Sequence, residues 1–447
     1  MKKYILTSVS AAALMFSAAA VAQNNDSNVV QAGNGQTATV SQTGINDDSH
    51  INQANADNTA TVNQSGVLGN DSEIDQTGEN NTATVTQTDG GSSTTYPNFV
   101  PPSAISTVDQ SGDNNIATVN QTTQTAYVAN KSLINQVGDN NIASVAQFDD
   151  EQDSVVNQLS DNNTAMVNQS QLGGDDDTYD NSSMINQGTG DSNDAIVDQS
   201  GQNSNSDVNQ QGDNNYAIAA QTGMTNNSDI DQTADGAWAD VTQNGDSNSS
   251  TVAQSSTTGS FIAPSFPSQS AYASIDQIGD SHLSTVTQTG AGNWAVLVQQ
   301  ANNNESDIDQ SGNGTYASVS QTGSDNISSV SQSGVANNLN LAVGIRQSGN
   351  GNTSLVNQTG TGTVLNSVEN TVDVEQSGDD NNSIVNQGGT DNETRILQTG
   401  SDNLSDVLQN GTNNAAYVNQ YSDLNISTVT QSGSGNTATV TQGTPGI

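Results

Sequence analysis

The sequence predicts an all-β chain, a parallel β-solenoid of about 17 strand-turn-strand coils forming two stacked parallel sheets, and three observations carry that prediction. First, a glutamine recurs from Gln31 to Gln442 in 34 units, and 25 of the 33 intervals between successive marker glutamines are 11 residues long. Second, the residues that stay constant lie six, four and two positions before that glutamine. Even spacing places them on one face of a strand, whereas a helix would scatter them around its circumference. Third, the residue four before the glutamine alternates between Ser and Ala: Ser27, Ala38, Ser49, Ala60, Ser72, Ala83, and so on to Ser427 and Ala438. The true repeat is therefore about 22 residues, two strands long.

Each position of the unit has a physical role. Two before the glutamine, 32 of 34 units carry Val or Ile, with Ala219 and Leu297 as exceptions, which marks the buried apolar position. Four before it, all 17 odd units have Ser and 14 of 17 even units have Ala, with Val343, Val372 and Thr394 as departures, so two kinds of strand alternate. Gly follows two after the glutamine in 22 units, Gly112 and Gly312 among them, which suits a tight turn at positive φ. One coil buries only two Val or Ile side chains, far too little to offset the entropy of ordering its residues. Coils must stack, each strand pairing above and below, and in-register stacking lets each inward amide hydrogen-bond to its own copy about 4.8 Å away. We expect this self-assembly ladder to run through Gln31, Gln42, Gln53, Gln64, Gln76, Gln87, Gln110, Gln121, Gln136 and Gln147, through Gln310, Gln321 and Gln332, and through Gln420, Gln431 and Gln442. Coils from about Asn25 to Gln442 would rise roughly 80 Å at that spacing.

Departures from the 11-residue interval fall between units. Residues 88 to 105 and 255 to 270 add 12 each, with smaller additions near 122 to 131, 170 to 181, 333 to 341 and 359 to 370. Pro97, Pro101, Pro102, Pro264 and Pro267 lie in the two largest, as expected of a residue that cannot donate to a strand ladder. The domain reading is a secretory signal peptide over 1–22, with Lys2, Lys3, an apolar run and an A-x-A site ending at Ala22, followed by the solenoid over 23–447. No other stretch is long and apolar enough to span a bilayer as a helix.

Composition sets limits on function. With 31% hydrophobic residues, 5 Lys and Arg against 47 Asp and Glu, and a formal net charge of −42, the chain would read as disordered without its periodicity. Only Lys131, Arg346 and Arg395 remain basic after the signal, which excludes a nucleic-acid binder. There is no Cys for a disulfide scaffold, the only histidines are His50 and His282, and no catalytic motif occurs, so no enzyme and no cofactor is expected. His50 falls on an outward, solvated position. The runs Asp149-Asp150-Glu151 and Asp175-Asp176-Asp177 lack the ligand spacing of a calcium loop and read as solvated charge. A column of aromatics stands five before the glutamine of five successive Ala strands: Tyr216, Trp238, Tyr272, Trp294 and Tyr316. It reads first as a stabilising outward ladder, and alternatively as a platform for a glycan, a surface or a neighbouring fibre.

The units "QAGNGQTATVSQ" from Gln31, "QSGDNNIATVNQ" from Gln110 and "QSGSGNTATVTQ" from Gln431 resemble the curlin repeat Q-x-G-x-x-N-x-A-x3-Q, and the resemblance covers nearly the whole chain after Ala22. It departs in placing Asn six and Ser four before the glutamine of the first strand, and in beginning its first coil almost directly after Ala22. The resemblance implies an extracellular functional amyloid: a head-to-tail homopolymer at the cell surface, exported through the periplasm and a curli-type outer-membrane pore, started by a nucleator, and serving adhesion and biofilm matrix. A monomeric secreted adhesin, using the aromatic column and insertion loops to hold a glycan or surface, is the alternative.

Overall fold

The computed structural model describes residues 24–66, 69–89, 104–123, 129–170, 180–255, 271–334, 341–360 and 370–444. The predicted signal segment 1–22, most of the two large predicted insertions and the acidic run Asp175-Asp176-Asp177 lie outside the described residues. The described chain is all β: 34 strands, the first over Asp26–Asn34 and the last over Thr437–Gln442, with no helix among them. Strands alternate between two parallel sheets, 17 carrying the Ser position and 17 the Ala position. The chain divides into two compact units, 1–192 and 193–447, each built this way.

In both units the register is residue for residue. In the first, strand Asp26–Asn34 pairs with Asp48–Ala56 so that Ser27 meets Ser49, Val29 meets Ile51 and Gln31 meets Gln53. In the second, strand Trp238–Asn244 pairs with Ala271–Asp280 so that Trp238 meets Tyr272, Val241 meets Ile275 and Gln243 meets Gln277. Register also holds across the long excursions: Gln76 pairs with Gln110, and Gln254 with Gln288. This is the β-solenoid with a 22-residue repeat that the spacing predicts. A one-residue slip would turn every inward side chain to solvent, so the alternating pattern enforces the register.

The interior is a stack of columns. Val62, Val119, Ile230, Val286, Val356 and their equivalents are fully buried, as are Ala60, Ala117, Ala239 and Ala317 four before the glutamine of the Ala strands. Where Thr394 replaces Ala, its hydroxyl accepts from Gln387 at 2.9 Å and donates to Gln409 at 2.8 Å. The substitution is absorbed because glutamines of one sheet face the fourth-before position of the other.

The arches differ from expectation in where positive φ falls. Gly112 has φ 117°, but Gly312 lies outside the left-handed range. What both need is room: a Cβ on Gly112 would lie 2.1 Å from the carbonyl oxygen of Gly138, and one on Gly312 2.0 Å from that of Gly334. Close approach of successive arches, rather than φ, is the common requirement. The recurring left-handed residue is instead seven before the glutamine, at Asn80, Asn114, Asn140, Asn162, Asn214, Asp325, Asp380 and Asp402, among others, with φ between 57° and 60°. Asn and Asp tolerate that region because their short polar side chains bond locally.

Two copies of that position carry residues poorly suited to it. Thr225 is β-branched at φ 60°, and Leu424 at φ 58° leaves 74% of its surface exposed. Thr225→Asn and Leu424→Asn should each stabilise the chain by about 1 kcal/mol, since the replacement relieves a left-handed penalty without losing buried apolar area. Denaturant midpoints measure this; unchanged or lowered midpoints would contradict the assignment of strain.

Candidate functional site: the stacked amide columns

The marker glutamines form continuous side-chain chains within each unit. In the Ser sheet of the first unit, Nε2 of Gln31, Gln53, Gln76, Gln110, Gln136 and Gln158 each donates to Oε1 of the next glutamine, ending at Gln187, at 2.7–2.9 Å. In its Ala sheet the chain runs Gln42, Gln64, Gln87, Gln121, Gln147, Gln169 at 2.8–3.0 Å. The second unit repeats this through Gln288, Gln310, Gln332 and Gln358 in one sheet, at 2.8–3.0 Å, and through Gln299, Gln321 and Gln347 in the other, at 2.8–2.9 Å. It closes with Gln409 to Gln431 and Gln420 to Gln442.

The second amide hydrogen has its own partner. Gln53 donates to the backbone oxygen of Thr37, Gln310 to that of Trp294 and Gln321 to that of Glu305, at 3.0–3.1 Å. Each glutamine at the end of one strand thereby caps a carbonyl at the start of the preceding strand in the opposite sheet. An amide offers two donors and one acceptor oxygen. Mid-stack, both donors and the oxygen are engaged, which is why so polar a side chain can be fully buried.

The asparagines six before the glutamine close the arches. Asn81 Oδ1 accepts from the backbone N–H of Asn115 at 2.9 Å, and Asn81 Nδ2 donates to the carbonyl oxygen of Gly112 at 2.7 Å. Two ionisable residues take this place. His282 is 1% exposed; Nδ1 accepts from the N–H of Asn304 at 3.3 Å, and Nε2 lies 3.3 Å from the carbonyl oxygen of Ile278, so the neutral ring reproduces the amide's bonds. Burial pushes its pKa below the ordinary value. Asp47, fully buried, accepts from the backbone of Gly44 and the side chain of Asn70, both at 3.0 Å, and burial pushes its carboxyl up. Asp47 and His282 were not anticipated, although each sits six before a marker glutamine, a signal the spacing contains.

All the amide chains point one way, from the N-terminal coil toward the C-terminal one. Among the described residues, no donor reaches Oε1 of Gln31 or Gln42 in the first coil. At the other end Gln431 and Gln442 give one hydrogen each to the backbone oxygens of Ala415 and Ile426, at 2.9 and 2.8 Å, and each keeps one to give. Core positions here are open: Val29 and Val440 are only half-buried, whereas their mid-stack equivalents are fully buried. One end offers amide acceptors and the other amide donors.

The outward faces hold the charge and the aromatics. Tyr216 and Trp238 have ring centroids 4.3 Å apart, Trp238 and Tyr272 6.4 Å, and Tyr272 and Trp294 4.1 Å, with Tyr316 next in register. His50 is half-buried, its Nδ1 3.2 Å from Nδ2 of Asn28. Carboxyls repeat along the faces, and desolvation together with like-charged neighbours pushes up Asp207, beside Asp229 and Asp231, and Asp307, beside Asp309 and Glu305. Among the described residues, no group of three or more His, Asp or Glu is placed to hold a metal ion.

Two predictions follow from this geometry. Gln310→Leu would strand the donor of Gln288, the oxygen of Gln332 and the carbonyl of Trp294, and should cost about 2–4 kcal/mol, as should Gln321→Leu. Ser311→Ala and Thr322→Ala, on exposed positions, should stay within about 0.5 kcal/mol. Equal losses would contradict the assigned faces. For His282, a folded pKa below the ordinary 6.5 means that the neutral ring stabilises the fold above pH 6.5, and that this contribution is lost as pH falls through the folded value. The stability of the native chain relative to His282→Asn should therefore decline from pH 7 to pH 5. A difference that does not change with pH would show that His282 does not titrate there. The raised carboxyls act in both chains alike and with opposite sign, binding protons more readily when folded, and so cancel in this comparison.

Comparison with known families finds the curlin associated repeat at residues 56–88, 285–312, 301–334, 369–400 and 389–421. No curated protein matches the chain. The matched segments fall in both units, and each spans a strand, its arch and the next strand with their marker glutamines. Repeats of this family build structural rather than catalytic proteins. Five segments, on coils whose register and amide columns are those described above, thus match the curlin associated repeat, and the chain carries repeats of that kind in both units.

Proposed function

We propose that the chain is a secreted, self-assembling fibre subunit of the curli-like, functional amyloid kind, joined head to tail and serving adhesion and biofilm matrix at the cell surface. The observation that carries the reading is the complementarity of the two terminal coils. One leaves amide oxygens open, the other amide hydrogens, and both leave strand edges and half-buried Val positions that a second copy in the same register would cover. Contact between unlike ends does not close on itself and so propagates. Export across the periplasm and outer membrane through a curli-type pore, and a separate nucleator, belong to the same reading through the family.

Charge sets the conditions for assembly. After the signal segment the chain carries 47 acidic against 3 basic residues, a formal −44. Exposed carboxylates repel over about 10 Å at 0.1 M salt, so subunit docking should be slow in dilute buffer. Carboxyls such as Asp71, Asp109, Asp240 and Asp276, whose pKa burial raises above the ordinary 3.8, take up protons on mild acidification before unperturbed ones do. Growth from preformed seeds should therefore quicken as monovalent salt rises, with Mg²⁺ or Ca²⁺, and as pH falls from neutral toward the pI of about 4.1.

Fibre diffraction of the purified chain tests the proposal. A meridional reflection near 4.7 Å is expected, and a persistently monomeric species without it would leave the monomeric adhesin as the better account. Val29→Lys and Val440→Lys place a charge on the open terminal coils. Each should slow seeded growth at least tenfold with little change in monomer melting. Growth rates equal to the parent's would remove the terminal coils from the mechanism.

A further inference from the structure

The outer face of the Ala sheet in the second unit holds a cavity of about 560 Å³, lined by Tyr316, Gly344, Arg346, Asp373, Glu393 and Arg395 among others. These residues come from four successive Ala strands, Thr315–Gln321, Leu341–Ser348, Thr371–Ser377 and Glu393–Gln398. We propose that this cavity is a binding site for an uncharged saccharide.

The floor is the first argument. Gly344 stands mid-strand on the outward face, in register with Ser318 on one side and Asp373 on the other. It is neither at positive φ nor crowded: an added Cβ would meet nothing closer than Asp373 Oδ1 at 3.7 Å. At arch glycines such as Gly112, Gly290 and Gly349, by contrast, a Cβ would lie about 2 Å from a neighbouring backbone oxygen. A glycine weakens a strand interior, and one with no backbone reason to be there marks a place where something approaches the sheet closely.

The polar lining is the second. Arg346 Nη2 bonds Asp373 Oδ1 at 2.9 Å, and Arg395 Nε lies 3.8 Å from Asp373 Oδ2, so one carboxylate orients both guanidinium groups. The Tyr417 hydroxyl donates to Glu393 Oε2 at 2.8 Å and holds that carboxylate in turn. A guanidinium has five N–H donors in a fixed plane, and most of those on Arg346 and Arg395 are not used in these contacts. Fixed donors and fixed acceptors thus surround one notch, the pairing that vicinal hydroxyls satisfy. Two of the three basic residues that follow the signal segment are gathered here.

Charge and shape select the ligand class. Two arginines balance one aspartate and one glutamate, so the lining is neutral on a chain of formal charge −42, which would repel an acidic polymer. Tyr316 supplies an aromatic wall, and the rings of Trp294, Tyr272, Trp238 and Tyr216 continue from it along the same face, giving an extended sugar chain further rings to lie against. The volume lies within the few hundred to about 1,000 Å³ of ordinary ligand sites. This inference does not depend on fibre assembly, because the site lies within a single unit.

Calorimetric titration of the full chain with cellohexaose, N-acetylchitohexaose and maltohexaose, and with hexagalacturonate as the acidic counterpart, tests it. At least one neutral hexasaccharide should bind. Gly344→Leu should fill the notch and weaken that binding at least tenfold without lowering the melting temperature, and Tyr316→Ala should weaken it comparably. Thr118→Leu, at the equivalent outward position of the first unit, should have no effect. If Gly344→Leu melts early, Tyr316→Ala and Arg395→Gln decide the outcome. Absence of binding by every neutral probe, equal effects of Gly344→Leu and Thr118→Leu, or preference for hexagalacturonate would each overturn the proposal.

Discussion

The fold depends on one requirement, that each buried amide meet its own copy one coil away. A parallel sheet in residue-for-residue register is the arrangement that delivers this, because a slip of one residue would turn the amides outward and a slip of two would set Gln against Val, leaving donors and acceptors unpaired in the interior. The columns are consequently intolerant of change in the number of residues between strand start and glutamine, and tolerant of change in the arches. Residues 90–103 and 256–270 interrupt the spacing, yet Gln76 still bonds Gln110 at 2.7 Å and Gln254 bonds Gln288 at 2.9 Å. The same logic explains which substitutions the columns accept. His282 and Asp47 enter the asparagine column because each presents an acceptor to the next coil's backbone.

Polar satisfaction is met for the marker glutamines in mid-stack and incomplete for the serines. Ser306 and Ser328 share a hydrogen bond at 2.9 Å, as Ser354 and Ser383 do at 3.0 Å, whereas Ser49, Ser72, Ser106 and Ser405 have buried hydroxyls with no partner. A hydroxyl is smaller than an amide and its reach along the stack is shorter, so small differences in coil spacing decide whether neighbours meet. In the Ala sheet the facing column avoids the question by carrying a methyl group. The Ser and Ala alternation thus distinguishes two environments for the glutamine opposite: Gln147 lies 3.3 Å from Ser154 Oγ, while glutamines of the Ser sheet face methyls.

Because the inward columns account for folding, the outward faces are free to diverge, and the second unit uses that freedom unevenly. Aromatics occupy one outward column over five Ala strands, and the two arginines converge on Asp373 just beyond it. Elsewhere the faces carry carboxyls whose pKa burial raises and like-charged neighbours raise further, as at Asp71 beside Asp48 and Glu73. That clustering is unfavourable at neutral pH and lies on the outward faces, whereas the interior contains few ionisable groups.

The sequence by itself determined the strand period, the inward face, the two kinds of strand and the aromatic column. Each is a statement about which residues recur at which spacing, and a periodic chain has few ways to bury a recurring face. The left-handed residue seven before the glutamine was also written there, in phrases such as Asp113-Asn114-Asn115, but Gly at the other end of the arch is the stronger turn signal and drew the reading to itself. Only the tertiary structure decided the direction of the amide chains, the carbonyl that takes each second hydrogen, the fit of His282 in an asparagine position and the meeting of Arg346 with Arg395 at one carboxylate. Those depend on the path of the arches and on side chains from different coils reaching a common point, and spacing along one chain carries no information about which of two identical amides donates to the other.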